Sequence, residues 1–214
     1  MVWRLGERRC LTPPSSGHPK GRFAPFALPL MSNVRPHLNQ SVEAKARELL
    51  ERVHGSVVHG APSRLQLREV SEWLCTLARS PVWESSEYAE ASVSEELVYE
   101  LAVSPRAGPA LYLVSDGASV SSKPHRHDTW AVIVGIRGYE VNRLYRRQSG
   151  SQNSVAPSSQ IEVGPLSVLV LHEQDIHSTE VRGSSATFHL HLYGRALHVL
   201  PSFTSRCYSV AGEV

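Results

Sequence analysis

The fold of this chain is decided by the stretch Lys123-Pro-His-Arg-His-Asp-Thr-Trp-Ala-Val-Ile-Val-Gly-Ile-Arg-Gly138. His125 and His127 stand two residues apart, so in an extended backbone their side chains leave on the same face and can converge on one metal ion. The run at residues 130–136 is dense in aromatic and β-branched residues and predicts a buried strand that ends at Gly138. The stretch therefore predicts a metal-binding pair of imidazoles at the start of a core strand.

A third metal ligand must come from elsewhere, because two imidazoles rarely make a metal site alone. His177 lies in the segment Gln174-Asp-Ile-His-Ser178, just after the apolar run at residues 166–171, and His172 lies five residues earlier. Spacing alone leaves both open as the third ligand. The chain has 11 histidines, so some are incidental, and those outside the segments discussed here are interpreted as surface or structural residues.

Short β-type runs separated by turn residues extend from residue 97 to about residue 200. The predicted strands are residues 97–103, 110–114, 130–136, 139–146, 160–163, 167–171 and 186–193. Turn residues separate them, as in Ser104-Pro-Arg-Ala-Gly-Pro109 and Ser149-Gly-Ser-Gln-Asn153. Regular short strands at this spacing predict an all-β sandwich or barrel, a class that includes jelly rolls.

The chain is predicted to divide into three segments. Residues 1–38 are rich in Pro, Ser, Gly and Arg and predict a disordered leader, most of which a translation start at Met31 would remove. Residues 39–96 predict a helical segment, with helices at 41–53 and 62–78 and a short third helix at 85–91, which would pack on the outside of the β domain. Residues 97–214 are predicted to form this β domain, the sandwich or barrel.

Composition argues against several classes of protein. The net charge is +2 and the charged residues are spread along the chain, so no nucleic-acid partner is expected. No apolar run approaches the roughly 20 residues that span a bilayer, so no membrane partner is expected either. Three cysteines in no regular spacing suit a reducing compartment, and we expect a cytoplasmic protein that is a monomer or a small homo-oligomer.

Three blocks of this sequence, in order, resemble the thiol dioxygenases, the cysteine dioxygenase-like branch of the cupins, which includes 3-mercaptopropionate dioxygenase-type proteins. Members show His-x-His with a hydrophobic strand and Gly, then Asp-Ile-His, then a strand that ends in His-x-Tyr-Gly. Here the last block is Thr187-Phe-His-Leu-His-Leu-Tyr-Gly194. The resemblance covers roughly residues 97 to 200, and its specificity lies in the combination of blocks. It implies a mainly β fold, a cupin double-stranded β-helix (jelly-roll) barrel behind a helical N-terminal segment.

The resemblance implies Fe(2+) as the cofactor, held by His125, His127 and His177. The general cupin pattern adds a Glu four or five residues after the second His, but Ala131 and Val132 stand at those positions here. Three neutral imidazoles leave about three open positions on the ion, which suits two donor atoms of a substrate plus O₂. Imidazole also binds Zn, Ni and Cu, so the choice of iron comes from the resemblance alone.

The reaction implied by the resemblance is oxidation of a small thiol, cysteine or a 3-mercaptopropionate-like acid, by O₂ to its sulfinic acid. The family has a Ser-x-His-x-Tyr chain whose tyrosine hydroxyl points at the iron-bound ligands. His191 and Tyr193 match this chain and are the expected catalytic residues, while His189 stands where the Ser would. These three side chains share one strand face, so they also fit a polar lining of the barrel.

The chain departs from the mammalian type of cysteine dioxygenase at two further places. Val132 stands about where that type has a cysteine crosslinked to the tyrosine, so no crosslink is expected. Residues 97–101 lack the arginine with which that type binds the substrate carboxylate. The alternatives for this role are Arg137, Arg143, Arg195 and Arg206.

Two other functions stay open on the sequence. One is a three-His cupin dioxygenase that cleaves a carbon–carbon bond in a diketone-like substrate. The other is a non-catalytic cupin that binds a metal or a small ligand.

Overall fold

Strands dominate the chain after residue 95, and two helices lie before them. The computed structural model describes residues 2–4, 37–57, 61–202 and 206–211. The helices are α1 (His37–Ser56) and α2 (Arg64–Ala78), and neither of these described helices is long and apolar enough to cross a membrane. The strands are β1 (Val2–Arg4), β2 (Glu96–Val103), β3 (Ala110–Asp116), β4 (Ala131–Arg137), β5 (Tyr139–Arg147), β6 (Ser154–Val163), β7 (Val168–Leu171), β8 (Ile176–Arg182), β9 (Thr187–Tyr193) and β10 (Ser209–Val210).

The second helix begins where its sequence provides a capping box. The Ser63 hydroxyl accepts a hydrogen bond from the Gln66 backbone N–H at 3.3 Å, and Gln66 Oε1 accepts one from the Ser63 N–H at 2.8 Å. Apolar residues at helical spacing then form its buried face: Leu67, Val70, Leu74 and Leu77. α1 packs on β2 and α2 packs on β4, so the helices cover one side of the barrel.

The described strands form two sheets, with the orders β1-β2-β3-β9-β4-β7 and β10-β6-β5-β8. Residues 121–125 extend the second sheet beyond β8, through bridges from Ser121 to Glu180 and from His125 to His177. After β3 the chain passes through residues 121–125, then β4, then β5 and β6, then β7, β8 and β9, and so alternates between the sheets. Two facing sets of four strands connected in this way form the double-stranded β-helix, or jelly roll. The predicted fold class is confirmed.

The larger sheet is buried on both faces. On its outer face, Leu190 and Leu192 of β9 belong to the same hydrophobic cluster as the helices, whereas Tyr193 belongs to a second cluster inside the barrel. Side chains alternate along a strand, so His189 and His191 share the inner face with Tyr193. Every residue of β9 is buried. These two imidazoles therefore lie in the interior of the barrel.

The prediction of a third helix at residues 85–91 is wrong. A short 3₁₀ turn forms at Pro81–Trp83, and no helix follows it before β2. Tyr88 packs edge-on against Tyr99 of β2, with ring centroids 5.0 Å apart, and the Tyr99 hydroxyl donates to the Ala89 carbonyl at 3.1 Å. These contacts hold the segment in an irregular path along the sheet, because tertiary packing outweighs weak helix propensity.

The predicted leader, residues 1–38, lies mostly outside the described residues. At its start the structure differs from the prediction, since Val2–Arg4 forms β1, antiparallel to β2 with Val2 opposite Tyr99 and Arg4 opposite Leu97. At its end, residues 37 and 38 belong to α1. A strand of three residues is too short for the alternation of side chains, which repeats every two residues, to be recognised in a sequence.

Candidate metal centre

The structure brings together the three histidines predicted as metal ligands. His125 and His127 lie in the segment between β3 and β4, and His177 lies near the start of β8. His125 and His177 exchange both backbone hydrogen bonds, at 2.8 Å and 2.9 Å, so their side chains lie side by side across the two strands. The two-residue spacing then places the His127 ring on the same face.

The three rings point their Nε2 atoms at one another. The Nε2 of His127 lies 3.2 Å from that of His125 and 3.0 Å from that of His177. Two nitrogens on one ion lie about 2.9 to 3.4 Å apart when each metal–nitrogen bond is about 2.0 to 2.1 Å and they subtend about 90 to 110°. The rings are 2%, 8% and 2% exposed, in chain order. The two short distances around His127 fit three imidazole ligands of one divalent ion.

The hydrogen bonds of the other ring nitrogens support this fit. His125 Nδ1 lies 2.9 Å from the Lys123 carbonyl, and His177 Nδ1 lies 2.8 Å from the Oδ1 of Asn142. Both oxygens accept hydrogen bonds, so both rings carry their proton on Nδ1 and turn an Nε2 lone pair inward. A proton on His127 Nε2 could form a hydrogen bond with the Nε2 lone pair of His125 or of His177, but not with both. Facing lone pairs at this distance repel each other, and a cation between them removes the repulsion.

His127 lies in an environment that disfavours its charged form. Burial, together with the neighbouring imidazoles of His177, His125 and His191, holds its pKa well below the usual value for histidine. Its Nδ1 is buried without a hydrogen-bond partner among the described residues. A lowered pKa keeps the ring neutral at pH 7, which is the form that binds a metal ion.

Tyr193 and His191 lie beside this group, at the wall of the same cavity. His191 Nδ1 lies 3.0 Å from the Tyr193 hydroxyl oxygen, and the centroid of the Tyr193 ring lies 4.9 Å from that of His127. The cavity has a volume of about 260 Å³. Its lining includes the three clustered histidines, His191 and Tyr193, together with the hydroxyl or carboxylate side chains of Ser94, Glu96, Asp116, Ser119, Ser121, Ser122 and Thr179.

The two other candidate histidines lie apart from the group. His172 is exposed in the turn after β7, where its backbone N–H donates to the Asp175 carboxylate at 2.8 Å. His189 is fully buried, and the centroid of its ring lies 6.4 Å from that of His191. His189, which stands where the family has Ser, is therefore too far from His191 to extend the hydrogen-bonded pair of His191 and Tyr193.

None of the four arginines considered for carboxylate binding lines the cavity. Arg137 and Arg143 each form a salt bridge with a surface glutamate at 2.6 Å. Arg206 donates to backbone carbonyls, at 3.0 Å to Pro201 and at 2.9 Å to Arg126. Arg195 is exposed. The expected carboxylate fork is absent from these four positions.

Asn142 was not anticipated from the sequence, although a signal was present. It is a polar residue at an inward position of β5, and its side chain is fully buried. A buried amide needs hydrogen-bond partners, so a polar residue inside a predicted core strand marks a specific contact. The sequence does not show that the partner is His177, which lies 35 residues later.

Comparison with known proteins gives only remote similarities. No family profile matches the chain, and no curated protein matches it. Among similar solved structures is a cupin superfamily protein from Desulfitobacterium hafniense, with 18% identity over 54% of this chain and 89% of that one and a TM-score of 0.39. KdgF from Halomonas sp. has 12% identity, covers 52% of this chain and 91% of its own, and has a TM-score of 0.38. The polyketide cyclase RemF from Streptomyces resistomycificus has 16% identity over 58% and 79% of the respective chains and a TM-score of 0.40.

Proposed function

We propose that this protein is an Fe(II)-dependent thiol dioxygenase-like enzyme, which oxidises a small thiol to its sulfinic acid with O₂. The observation that carries the proposal is the convergence of three buried Nε2 atoms within about one coordination sphere, beside a tyrosine hydroxyl in the same cavity. The overall change is R–SH + O₂ → R–SO₂H. Sulfur is oxidised, both oxygen atoms enter the product, and no further reductant is needed.

In this proposal His125, His127 and His177 hold the iron. Bound Fe(II) supplies the activation of O₂ and the site at which sulfur and oxygen meet. The three ligands are neutral, so they would leave the positive charge of a bound divalent ion undiminished for a thiolate substrate. Their burial within the barrel excludes bulk water from one side of the ion.

Tyr193 is proposed to act on the substrate and His191 to orient Tyr193. At 3.0 Å the His191 Nδ1 can either accept the hydroxyl proton of Tyr193 or donate its own to the hydroxyl oxygen. In the second case the hydroxyl proton points away from His191 and can be directed into the cavity. The hydroxyl can then donate to a sulfur or oxygen atom of the bound substrate.

The size of the cavity favours a small substrate. Its volume of about 260 Å³ lies below the range of about 300 to 1,000 Å³ of pockets that hold drug-sized ligands. Cysteine and 3-mercaptopropionate are much smaller than drug-sized ligands and so suit this cavity. Because none of the four candidate arginines lines the cavity, a thiol without a carboxylate must also be tested.

The proposal is tested by incubating the Fe(II)-loaded protein with isotope-labelled O₂ and, in separate reactions, with L-cysteine, 3-mercaptopropionate and 2-aminoethanethiol. We expect a sulfinic acid that carries both labelled oxygen atoms from at least one thiol, detected by mass spectrometry. His177→Ala, treated in the same way, should give none. Absence of sulfinate from every thiol, or equal yields from His177→Ala, would contradict the proposal. Loss of acetylacetone in a parallel reaction would point instead to diketone cleavage.

A further inference from the structure

A line of buried polar contacts runs from the back of His177 to the opposite sheet. His177 Nδ1 lies 2.8 Å from Asn142 Oδ1, and Asn142 Nδ2 donates to Glu140 Oε1 at 2.8 Å. The other carboxyl oxygen, Glu140 Oε2, lies 3.5 Å from His189 Nδ1. His189 Nε2 lies 3.4 Å from the Val163 carbonyl. Glu140, Asn142 and His189 are all 0% exposed.

These side chains are outside the cavity, so they do not contact a substrate there. Burying a carboxyl group costs free energy unless it is well hydrogen-bonded, and an apolar pair of similar volume is often at least as stable. Stability alone therefore gives a weak reason for a carboxyl group and an imidazole at this place. Their connection to a candidate metal ligand gives a stronger one.

The strand geometry of β5 explains how the line forms. Glu140 and Asn142 are two residues apart, so both side chains leave on the inner face, while Val141 between them leaves on the outer face. β5 pairs with β8 so that Asn142 lies opposite Thr179, which makes His177 its diagonal neighbour on the same face. His189 reaches Glu140 from β9 of the other sheet.

Glu140 decides which way the amide of Asn142 faces. A carboxylate can only accept hydrogen bonds, so the NH₂ group of Asn142 must face Glu140 and its carbonyl oxygen must face His177. His177 then has to donate from Nδ1, which leaves the lone pair on Nε2. If the amide were reversed, its NH₂ would face His177 Nδ1, the ring proton would move to Nε2, and this ring could not bind a metal ion through Nε2.

We infer that Glu140 is a positioning residue of the metal centre: through Asn142 it fixes the tautomer of His177 whose Nε2 faces His125 and His127. The inference rests on the metal site of the proposed function and not on the thiol dioxygenase activity. Loss of such an outer contact typically weakens metal affinity by about 10- to 100-fold. His189 Nδ1 lies beside the second carboxyl oxygen of Glu140, at 3.5 Å.

The test compares three variants of the full chain by Co(II) titration of the metal-free protein. Glu140→Met has no acceptor for Asn142, so its Kd for Co(II) should rise by about 10- to 100-fold. Glu140→Gln keeps a carbonyl oxygen that can accept from Asn142 but also has an NH₂ group that can donate to it, so its Kd should lie between those of the wild type and Glu140→Met. Val141→Ala is the matched control, because it removes buried volume from the same strand on the other face. It should lower the Tm and leave the Kd unchanged.

A second measurement reads the tautomer directly, by nitrogen NMR of the His177 ring in the metal-free protein. The wild type should show the proton on Nδ1, Glu140→Met should show a shift towards Nε2, and Glu140→Gln a smaller shift. An unchanged tautomer and Kd in Glu140→Met would overturn the inference, as would equal weakening in Val141→Ala. If Glu140→Met does not fold, a wild-type His177 protonated on Nε2 still overturns it. A wild type that binds no Co(II) would instead contradict the proposed metal site, and cobalt binding without sulfinate formation would contradict only the activity.

Discussion

His127 is the ring on which the candidate centre converges, because its Nε2 lies within 3.2 Å of the Nε2 atoms of both His125 and His177. Removing any one of three neutral ligands leaves two imidazoles, which are too few to hold Fe(II) firmly. We expect the iron content of purified His125→Ala, His127→Ala and His177→Ala to collapse, measured by elemental analysis.

The matched control for this prediction is His172→Ala. His172 is exposed in the turn after β7 and lies outside the group of three, so its removal should leave the iron content unchanged. Loss of iron from His172→Ala with retention in His177→Ala would mean that the third ligand is assigned to the wrong residue. Retention in all four variants would mean that the metal does not bind here.

Tyr193 offers a test of chemistry apart from metal binding. Tyr193→Phe removes one hydroxyl group and leaves the ring, which packs against His127 with centroids 4.9 Å apart. We expect folding and iron content to stay nearly unchanged and kcat to fall, because a group that acts on the transition state behaves in this way. His191→Asn should resemble it. Equal kcat for wild type and Tyr193→Phe would reduce Tyr193 to a lining residue of the barrel.

At the scale of single residues, local spacing predicted part of the site and missed the rest. The two-residue spacing of His125 and His127 places both side chains on one face in any extended segment, so their proximity could be predicted without a fold. The contact between Asn142 and His177 joins two residues that are 35 positions apart in the sequence and lie on different strands. It depends on the register of β5 against β8, which no local pattern encodes.

Among the elements, two segments that line the cavity were missed. β8 (Ile176–Arg182) and the extended residues 121–125 were not predicted as strands, although the sequence analysis identified histidines in both. His177 and Thr179 face the cavity from β8, and Ser121 faces it from the other segment. β8 carries polar residues on both faces, so it lacks the alternation of apolar and polar residues that marks an ordinary strand. Strands with apolar inner faces, such as β4, were predicted to within about one residue.

A substitution at Gly135 of β4 tests how closely this strand approaches the backbone just before β7. A Cβ atom at this position would lie 2.1 Å from the Gly164 carbonyl oxygen, which belongs to the backbone and cannot rotate away. Overpacking of this kind typically costs about 1 to 3 kcal/mol. We expect Gly135→Ala to lower the Tm measured by circular dichroism, and its free energy of unfolding to fall by at least about that amount.

Gly55→Ala is the matched control for this substitution. Gly55 is exposed near the end of α1, and a Cβ there would meet nothing within 4 Å. Alanine favours a helix over glycine by up to about 1 kcal/mol, and by less near a helix end, so its Tm should stay equal or rise slightly. A Gly135→Ala protein as stable as the wild type would show that β4 and the Gly164 turn are farther apart than described.

For the whole molecule, the regular spacing of short strands predicted a sandwich or a barrel, and the family resemblance implied a barrel with helices in front of it. The way the helices cover the larger sheet could not be predicted, because it depends on both faces of β3 and β9 being buried. β9 reads Thr187-Phe-His-Leu-His-Leu-Tyr193 and alternates between apolar residues and residues with polar groups. Such alternation usually marks a strand with one face in water, yet here the polar side chains face the interior and its cavity.

The first residues of the chain give a prediction about the molecule as a whole. Among the described strands, β1 pairs only with β2, at the outer edge of the larger sheet, through three residue pairs. The candidate ligands lie in the other sheet, at residues 121–125 and in β8, and in the segment that follows residue 125. A chain that begins at Met31 loses β1 and leaves the edge of β2 unpaired, which favours association. We expect it to keep its β-type circular dichroism and its Kd for Co(II), with a Tm lower by a few degrees and more self-association in sedimentation experiments. Loss of the fold or of Co(II) affinity in this shortened chain would show that residues 1–30 contribute to the core or to the metal centre.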